Sequence, residues 1–150
     1  MSYLLIIFYI LLGLIIAKII FDSFQKKKTP ALKSVKVISS STPKEGVNVD
    51  VLKEGSGNPA VSGKVVRVHY NAFLTNGKKV DSSYDKNEVF SFTMGRRQVI
   101  PGWEAGMIGM KEGEIRKFTI SPDQAYGAKG KANVPPNATM IFEVELLKVI

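Results

Sequence analysis

The apolar run YLLIIFYILLGLIIAKIIF, from Tyr3 to Phe21, constrains the chain more than any other feature: nineteen residues with a single charge. At about 1.5 Å per residue, a helix of that length spans roughly 28 Å, close to the roughly 30 Å of bilayer hydrocarbon. It has no polar face, which argues against a helix buried on one side only. Lys18 lies near its carboxyl end, where the aliphatic stem can snorkel toward the interface that Lys26, Lys27 and Lys28 would occupy. A cleavable signal usually has a basic residue before a core of about 7 to 15 residues and a small-x-small site after it. No basic residue precedes this run, the run is longer, and no such site follows. Residues 1–24 are therefore expected to form a retained single-pass transmembrane anchor with its span at about 3–21. All nearby basic charge follows the span, so the positive-inside tendency places the rest of the chain on the cytoplasmic side. If residues 1–24 act as a signal instead, the domain is lumenal, periplasmic or secreted.

The formal net charge of +8 is unevenly distributed: +5 of it lies at or before Pro43. Membrane phosphate is thus a better counterpart for the excess than DNA or RNA, and no nucleic-acid partner is expected. Residues 25–46 are rich in Lys, Ser, Thr and Pro and read as a basic, polar linker, broken only by the short apolar patch Val35, Val37 and Ile38. A flexible chain of about 22 residues reaches on the order of 25 Å, enough to hold a small domain clear of the bilayer. The chain has no cysteine and one histidine, His69. Disulfides, thiol nucleophiles and Cys-based metal sites are excluded, and no metal or cofactor is expected.

Residues 47–150 form the expected domain. Extended segments read as Val47–Leu52, Val65–Leu74, Val89–Met94, Glu114–Ile120 and Thr139–Ile150. Val66, Val68 and Tyr70 alternate with Arg67, His69 and Asn71, and Met140, Phe142, Val144 and Leu146 alternate with polar residues, so each strand has one apolar face. His69 falls on the outward face. Asn76-Gly77 between two extended stretches predicts a hairpin with a type I′ turn. Pro101 suits a first helical turn, and Trp103 with Met107 at i, i+4 places two large apolar groups on one face of a single short helix. Gly106, Gly109 and Gly113 keep that helix short. The fold class is α+β, with the helix packed on the concave side of a twisted antiparallel sheet and Trp103 filling the space between them.

Searches for G-x-S-x-G, a Walker P-loop, G-x-G-x-x-G and paired histidines find nothing. Asp85 and Asp123 sit in turn-like contexts where Asp commonly caps backbone N–H groups, and Asp81 shares part of that context. Aromatic and aliphatic residues gather beside turns instead: Tyr70, Phe90, Phe92, Val99, Ile100, Trp103, Tyr126, Val134 and Phe142.

The order of these residues is specific. VHY (Val68–Tyr70), NGKKVDSSYDKN (Asn76–Asn87), FSFTMG (Phe90–Gly95), VIPGWEAGMIGMKEGE (Val99–Glu114), ISPDQAYG (Ile120–Gly127) and VPPNATMIFEVELL (Val134–Leu147) follow one another at characteristic spacing. From Val65 to Ile150 the chain resembles the FKBP-type peptidyl-prolyl cis–trans isomerases. The resemblance implies a five-stranded antiparallel half-barrel around one short helix, with a ligand pocket between them. It also implies a site: Trp103 as the pocket floor and Tyr70, Phe90, Val99, Ile100 and Phe142 as walls. The Tyr126 hydroxyl and the Ile100 N–H would hold carbonyls, and Asp81 would supply a carboxylate at the rim, while Val80, Lys86 and Val134 complete the substrate-binding set.

The sequence departs from the family pattern at Val80, where well-known members carry Phe, and at Lys86, where Arg often orients the aspartate. The loop from Ala128 to Val134 is one residue shorter, with Lys131 and Asn133 at the rim. The expected activity is isomerisation of X–Pro bonds, by a monomeric domain acting on proline-containing polypeptides near a membrane, with macrolides as possible inhibitors. The alternative is a catalytically weak binding module that uses the same pocket to recognise a proline-containing segment.

Overall fold

The computed structural model describes residues 44–150. The expected anchor, residues 1–24, and the linker as far as residue 43 lie outside the described residues. Among the described residues no helix is long and apolar enough to cross a membrane.

Among the described residues, six strands and one α-helix follow in the order β1 (Val47–Lys53), β2 (Val65–Leu74), β3 (Lys79–Ser82), β4 (Phe90–Thr93), α1 (Pro101–Met107), β5 (Ile115–Ile120) and β6 (Met140–Val149). All pairings are antiparallel, and the sheet runs β1-β5-β6-β2. The remaining edge of β2 is shared, with β4 lying against Val65–Val68 and β3 against Asn71–Phe73. The sheet therefore has five lanes but six strands, because residues 83–89 leave the edge lane between β3 and β4. The expectation of five strands did not count Lys79–Ser82 as a strand of its own, although the predicted hairpin at Asn76-Gly77 requires an extended stretch there, and β3 is that stretch.

Alternation fixes which side of each strand is buried. Val66, Val68, Ala72 and Leu74 of β2 and Met140, Phe142, Val144 and Leu146 of β6 are buried. Register then carries this face across the sheet: Ala72 opposes Phe142, Phe142 opposes Phe118, and Phe118 opposes Val49. His69 falls on the other face, where its ring stacks on Tyr84 with centroids 4.5 Å apart and its Nδ1 lies 3.0 Å from the Ser83 hydroxyl.

The hairpin at Asn76-Gly77 forms, but its turn is not type I′. Gly77 has φ of +83° while Asn76 is absent from the positive-φ residues. The Gly77 N–H donates to the Leu74 carbonyl, and the Leu74 N–H to the Lys78 carbonyl, which encloses the three-residue loop Thr75-Asn76-Gly77. A turn closed by one glycine in the left-handed region needs no positive φ from Asn76, whose side chain accepts from the Lys78 N–H instead.

Helix α1 has seven residues, too few to persist alone, so packing must hold it. Gly102 and Gly106 lie one turn apart against the sheet. A Cβ on Gly102 would overlap Ile120, and one on Gly106 would come within 2.9 Å of the Phe118 ring. Gly106 is thus a contact that lets the helix approach β5 rather than a terminator; the chain turns away after Met107 through Gly109, whose φ is +71°. At the carboxyl end, the Arg116 guanidinium from β5 donates to the carbonyls of Gly106 (2.8 Å) and Ile108 (3.2 Å). Arg116 is itself held at 2.5 Å by Glu114, a carboxylate 3 % exposed that also accepts from the Lys111 N–H. This pair neutralises a buried charge and satisfies helix-terminal carbonyls together.

Gly106→Ala separates two effects. Helix propensity favours Ala by about 1 kcal/mol, whereas forcing a methyl into a packed core costs about 1–3 kcal/mol. Because the facing group is the buried Phe118 ring, the packing cost is expected to win, and thermal unfolding should show a lower Tm for the variant.

Candidate functional site

Trp103 sits at the centre of the core face, 4 % exposed. Five rings surround it: Tyr70 at 5.3 Å, Phe142 at 5.4 Å, Phe90 and Phe92 at 6.0 Å and Phe118 at 6.5 Å between centroids. The interplanar angles of 85° to Tyr70, 86° to Phe90 and 87° to Phe142 are edge-to-face. Such pairs contribute roughly 0.5–1.5 kcal/mol each beyond burial. The rings come from β2, β4, β5 and β6, so the sheet curves around the helix and one indole touches four strands.

Beside this aromatic floor lies a polar edge. Asp81 opposes Ala72 across the β2–β3 ladder, diagonal to Tyr70 on the same side, and the Tyr70 hydroxyl donates to Asp81 at 2.8 Å. Lys86, reaching back from the segment after β3, places its ammonium 2.5 Å from the other carboxylate oxygen. The Ser82 N–H also donates to Asp81. Burial pushes the Asp81 carboxyl up, but the hydrogen bonds from Lys86, Tyr70 and Ser82 together outweigh it and hold the group below the ordinary carboxylate range. Tyr70 moves the opposite way: burial first, then its bond to the carboxylate, raise its phenol well above the usual range. Burial likewise raises Tyr126, and the Asp81 charge adds to it.

Two polar groups beside the floor have no partner among the described residues. Ile100 precedes α1 with φ of −59° and ψ of 150°; its carbonyl accepts from Trp103, while its N–H makes no hydrogen bond. The Tyr126 hydroxyl makes none either, although Tyr126 is held between two short 3₁₀ turns, Pro122–Gln124 and Gly127–Lys129. Lys131 lies 5.4 Å over the Tyr126 ring, carried there by the tight turn in which Lys131 and Val134 exchange backbone hydrogen bonds.

The residues singled out by sequence thus separate into groups. Tyr70, Phe90, Trp103 and Phe142 form one aromatic cluster, with Asp81 and Lys86 attached through Tyr70. Val80 is the unpaired residue of a bulge in the β2–β3 ladder, and it packs against the core. Val134 is buried and Ile100 half-buried. Val99, beside its core contacts, also lines a groove on the outer flank of α1. Asp85 pairs with the Lys79 side chain at 2.6 Å, and Asp123 accepts from its own backbone N–H as well as from the Ser121 hydroxyl and the Gln124 amide. Sequence reasoning missed Glu114 and Arg116; their i, i+2 spacing on a strand, which places both on one face, is the signal that could have found them. No group of three or more His, Asp and Glu side chains among the described residues could hold a metal ion.

Comparison with known proteins decides the family. The model of the FKBP-type peptidyl-prolyl cis-trans isomerase family matches residues 57–147. The chain belongs to this family. It is 52 % identical over 105 residues to an FK506-binding protein of Neisseria meningitidis serogroup B, covering 69 % of this chain and 96 % of that one. It is 50 % identical over 103 residues to FK506-binding protein 1 of Dictyostelium discoideum, covering 68 % and 96 % respectively. Identity to the peptidyl-prolyl cis-trans isomerase FKBP1A of Xenopus laevis is 49 % over 106 residues, 69 % of this chain and 98 % of the relative. In three dimensions it is similar to the crystal structure of FkpA from Escherichia coli, with a TM-score of 0.63 and 37 % identity over 71 % of this chain. That match spans about half of the FkpA chain, 52 %. The architecture is accordingly FKBP-like, and the domain is a peptidyl-prolyl cis-trans isomerase.

The Asp81 edge has a pH consequence. A carboxyl whose folded pKa is depressed stabilises the fold above the ordinary carboxylate range and loses that contribution as pH falls through the depressed value. Removing the ammonium in Lys86→Met should move the Asp81 titration to higher pH, followed by carboxyl ¹³C NMR, and Tyr70→Phe should move it the same way.

Proposed function

We propose that the basin floored by Trp103 is the isomerase site of this chain and that it acts on X–Pro bonds of polypeptides. The observation that carries this reading is the enclosure of one buried indole by aromatic rings from four strands, next to two polar groups without a partner among the described residues. Rotation about an X–Pro amide must lose C–N double-bond character, over a barrier of roughly 18–20 kcal/mol. The planar amide is the more charge-separated form and is stabilised by water more than the twisted one, so a dry apolar wall favours the twist. In this reading Trp103, Phe90 and Phe142 hold the pyrrolidine ring, with Val80, Val99 and Val134 behind them. The Tyr126 hydroxyl and Ile100 N–H hold the flanking carbonyls, which confines the rotation to one path. Asp81, anchored by Lys86 and Tyr70, gives the rim a fixed negative charge. The reaction then needs neither nucleophile nor metal.

The same basin is proposed to take macrolides, which the names of the relatives support. Residues 3–21 are proposed to anchor the domain to a membrane with the isomerase on the cytoplasmic side, a reading supported by the nineteen-residue apolar run and the lysines after it. Carbonate-resistant sedimentation of the full chain with membranes, an intact amino terminus and protease protection of the domain in sealed cytoplasmic-side-in vesicles are the expected results; a trimmed, soluble product would overturn the anchor.

Cis-to-trans exchange of a short X–Pro peptide, measured with the full chain in detergent micelles, tests the site. Acceleration that FK506 abolishes is expected. Losing one hydrogen bond of about 0.5–1.5 kcal/mol predicts a roughly two- to tenfold lower kcat/KM for Tyr126→Phe. Trp103→Leu should lose more, with circular dichroism confirming its fold. Macrolide binding by a folded chain without any acceleration would sink catalysis and leave a binding module.

A further inference from the structure

A second concave surface lies on the flank of α1, away from the aromatic floor. Lys44, Arg97, Val99, Pro101, Ala105 and Ile108 line it. Its wall combines apolar residues with Lys44, Arg97 and Glu104, and Ile108 is 48 % exposed there, a large hydrophobic group. Glu104 adds an unusual acceptor: one carboxylate oxygen binds the Gly95 N–H at 2.8 Å, while the other is buried without a partner among the described residues.

Lys44, the first described residue, lines this groove as well as a smaller one beside Gly46 and Ser121, so the preceding segment joins the domain at the groove's edge. Six residues further back ends the apolar patch Val35-Lys36-Val37-Ile38, the one departure from polarity in the linker and a feature that neither anchor nor isomerase explains. We infer that this groove is the docking site for the chain's own segment Val35–Ile38.

Chain length supports that occupant. A tether as short as residues 39–43 gives an effective concentration in the millimolar range, so an intrinsically weak contact suffices. Loop closure over so few residues adds little further cost. Val35, Val37 and Ile38 offer three apolar side chains to Val99, Pro101 and Ile108. Docking would shorten the free part of the linker and fix the direction in which it leaves the domain. This inference stands independently of isomerase activity, which its test does not read.

Because the chain has no cysteine, Ile108→Cys creates a single thiol. Its maleimide labelling rate is measured on the full chain in detergent micelles, with and without the triple substitution Val35→Ser, Val37→Ser, Ile38→Ser. Val61→Cys, exposed outside the groove, is the reference site, and Ala105→Cys is a second reporter inside it. Labelling at 108 and 105 is expected to rise on the order of 3- to 10-fold when the segment is made polar, unchanged at 61 and independent of protein concentration. Equal rates at both groove sites would overturn the inference. So would an equal rise at 61, or protection that grows with protein concentration and thereby identifies a second copy as the occupant.

Discussion

Burial of Trp103 against a curved sheet is the contact on which the rest of this domain depends. A helix of seven residues has little stability of its own. It is held because Gly102 and Gly106 let its backbone settle onto Ile120 and Phe118, while the indole beside them reaches rings from four strands. Arg116, anchored by the buried Glu114, then takes the carbonyls at the other end. Helix position, sheet curvature and the aromatic floor are three aspects of one packing solution.

That solution matches the chemistry of the family. Isomerising an amide breaks no covalent bond, so a site needs shape, dryness and a few fixed donors more than a reactive group. The molecule provides an apolar floor made rigid by edge-to-face packing and a carboxylate at its edge kept ionised by Lys86 and Tyr70. Tyr126 is positioned by two 3₁₀ turns. The departures at Val80 and Lys86 leave this frame in place: Val80 is absorbed into the core, and Lys86 reaches Asp81 directly with its ammonium.

Much of the fold was legible because a sheet with one buried face writes its period into the sequence. Val66, Val68 and Ala72, and Met140 through Leu146, alternate as they pack. What was not legible depended on register or on partners distant in sequence. The turn at Asn76-Gly77 took its form from which carbonyl the Leu74 N–H could reach. Asp85 looked like a cap because its neighbours are turn residues, but Lys79 claims it. Glu114 and Arg116 looked like ordinary strand charges until the helix end lay above them.

By itself the sequence determined the family, through ordered blocks from Val68 to Leu147, and with it the chemistry and the apolar character of the site. It also determined the short helix, since Pro101 opens it and the Trp103 and Met107 spacing gives it one face. Only the tertiary structure decided that Gly102 and Gly106 are points of contact, that Asp81 is shared between Tyr70 and Lys86, and that Val99 faces a second groove as well as the core. Periodicity is a local property that a strand or helix carries along its own length, whereas these contacts join residues from separate elements and exist only once strand register and helix docking have brought them together.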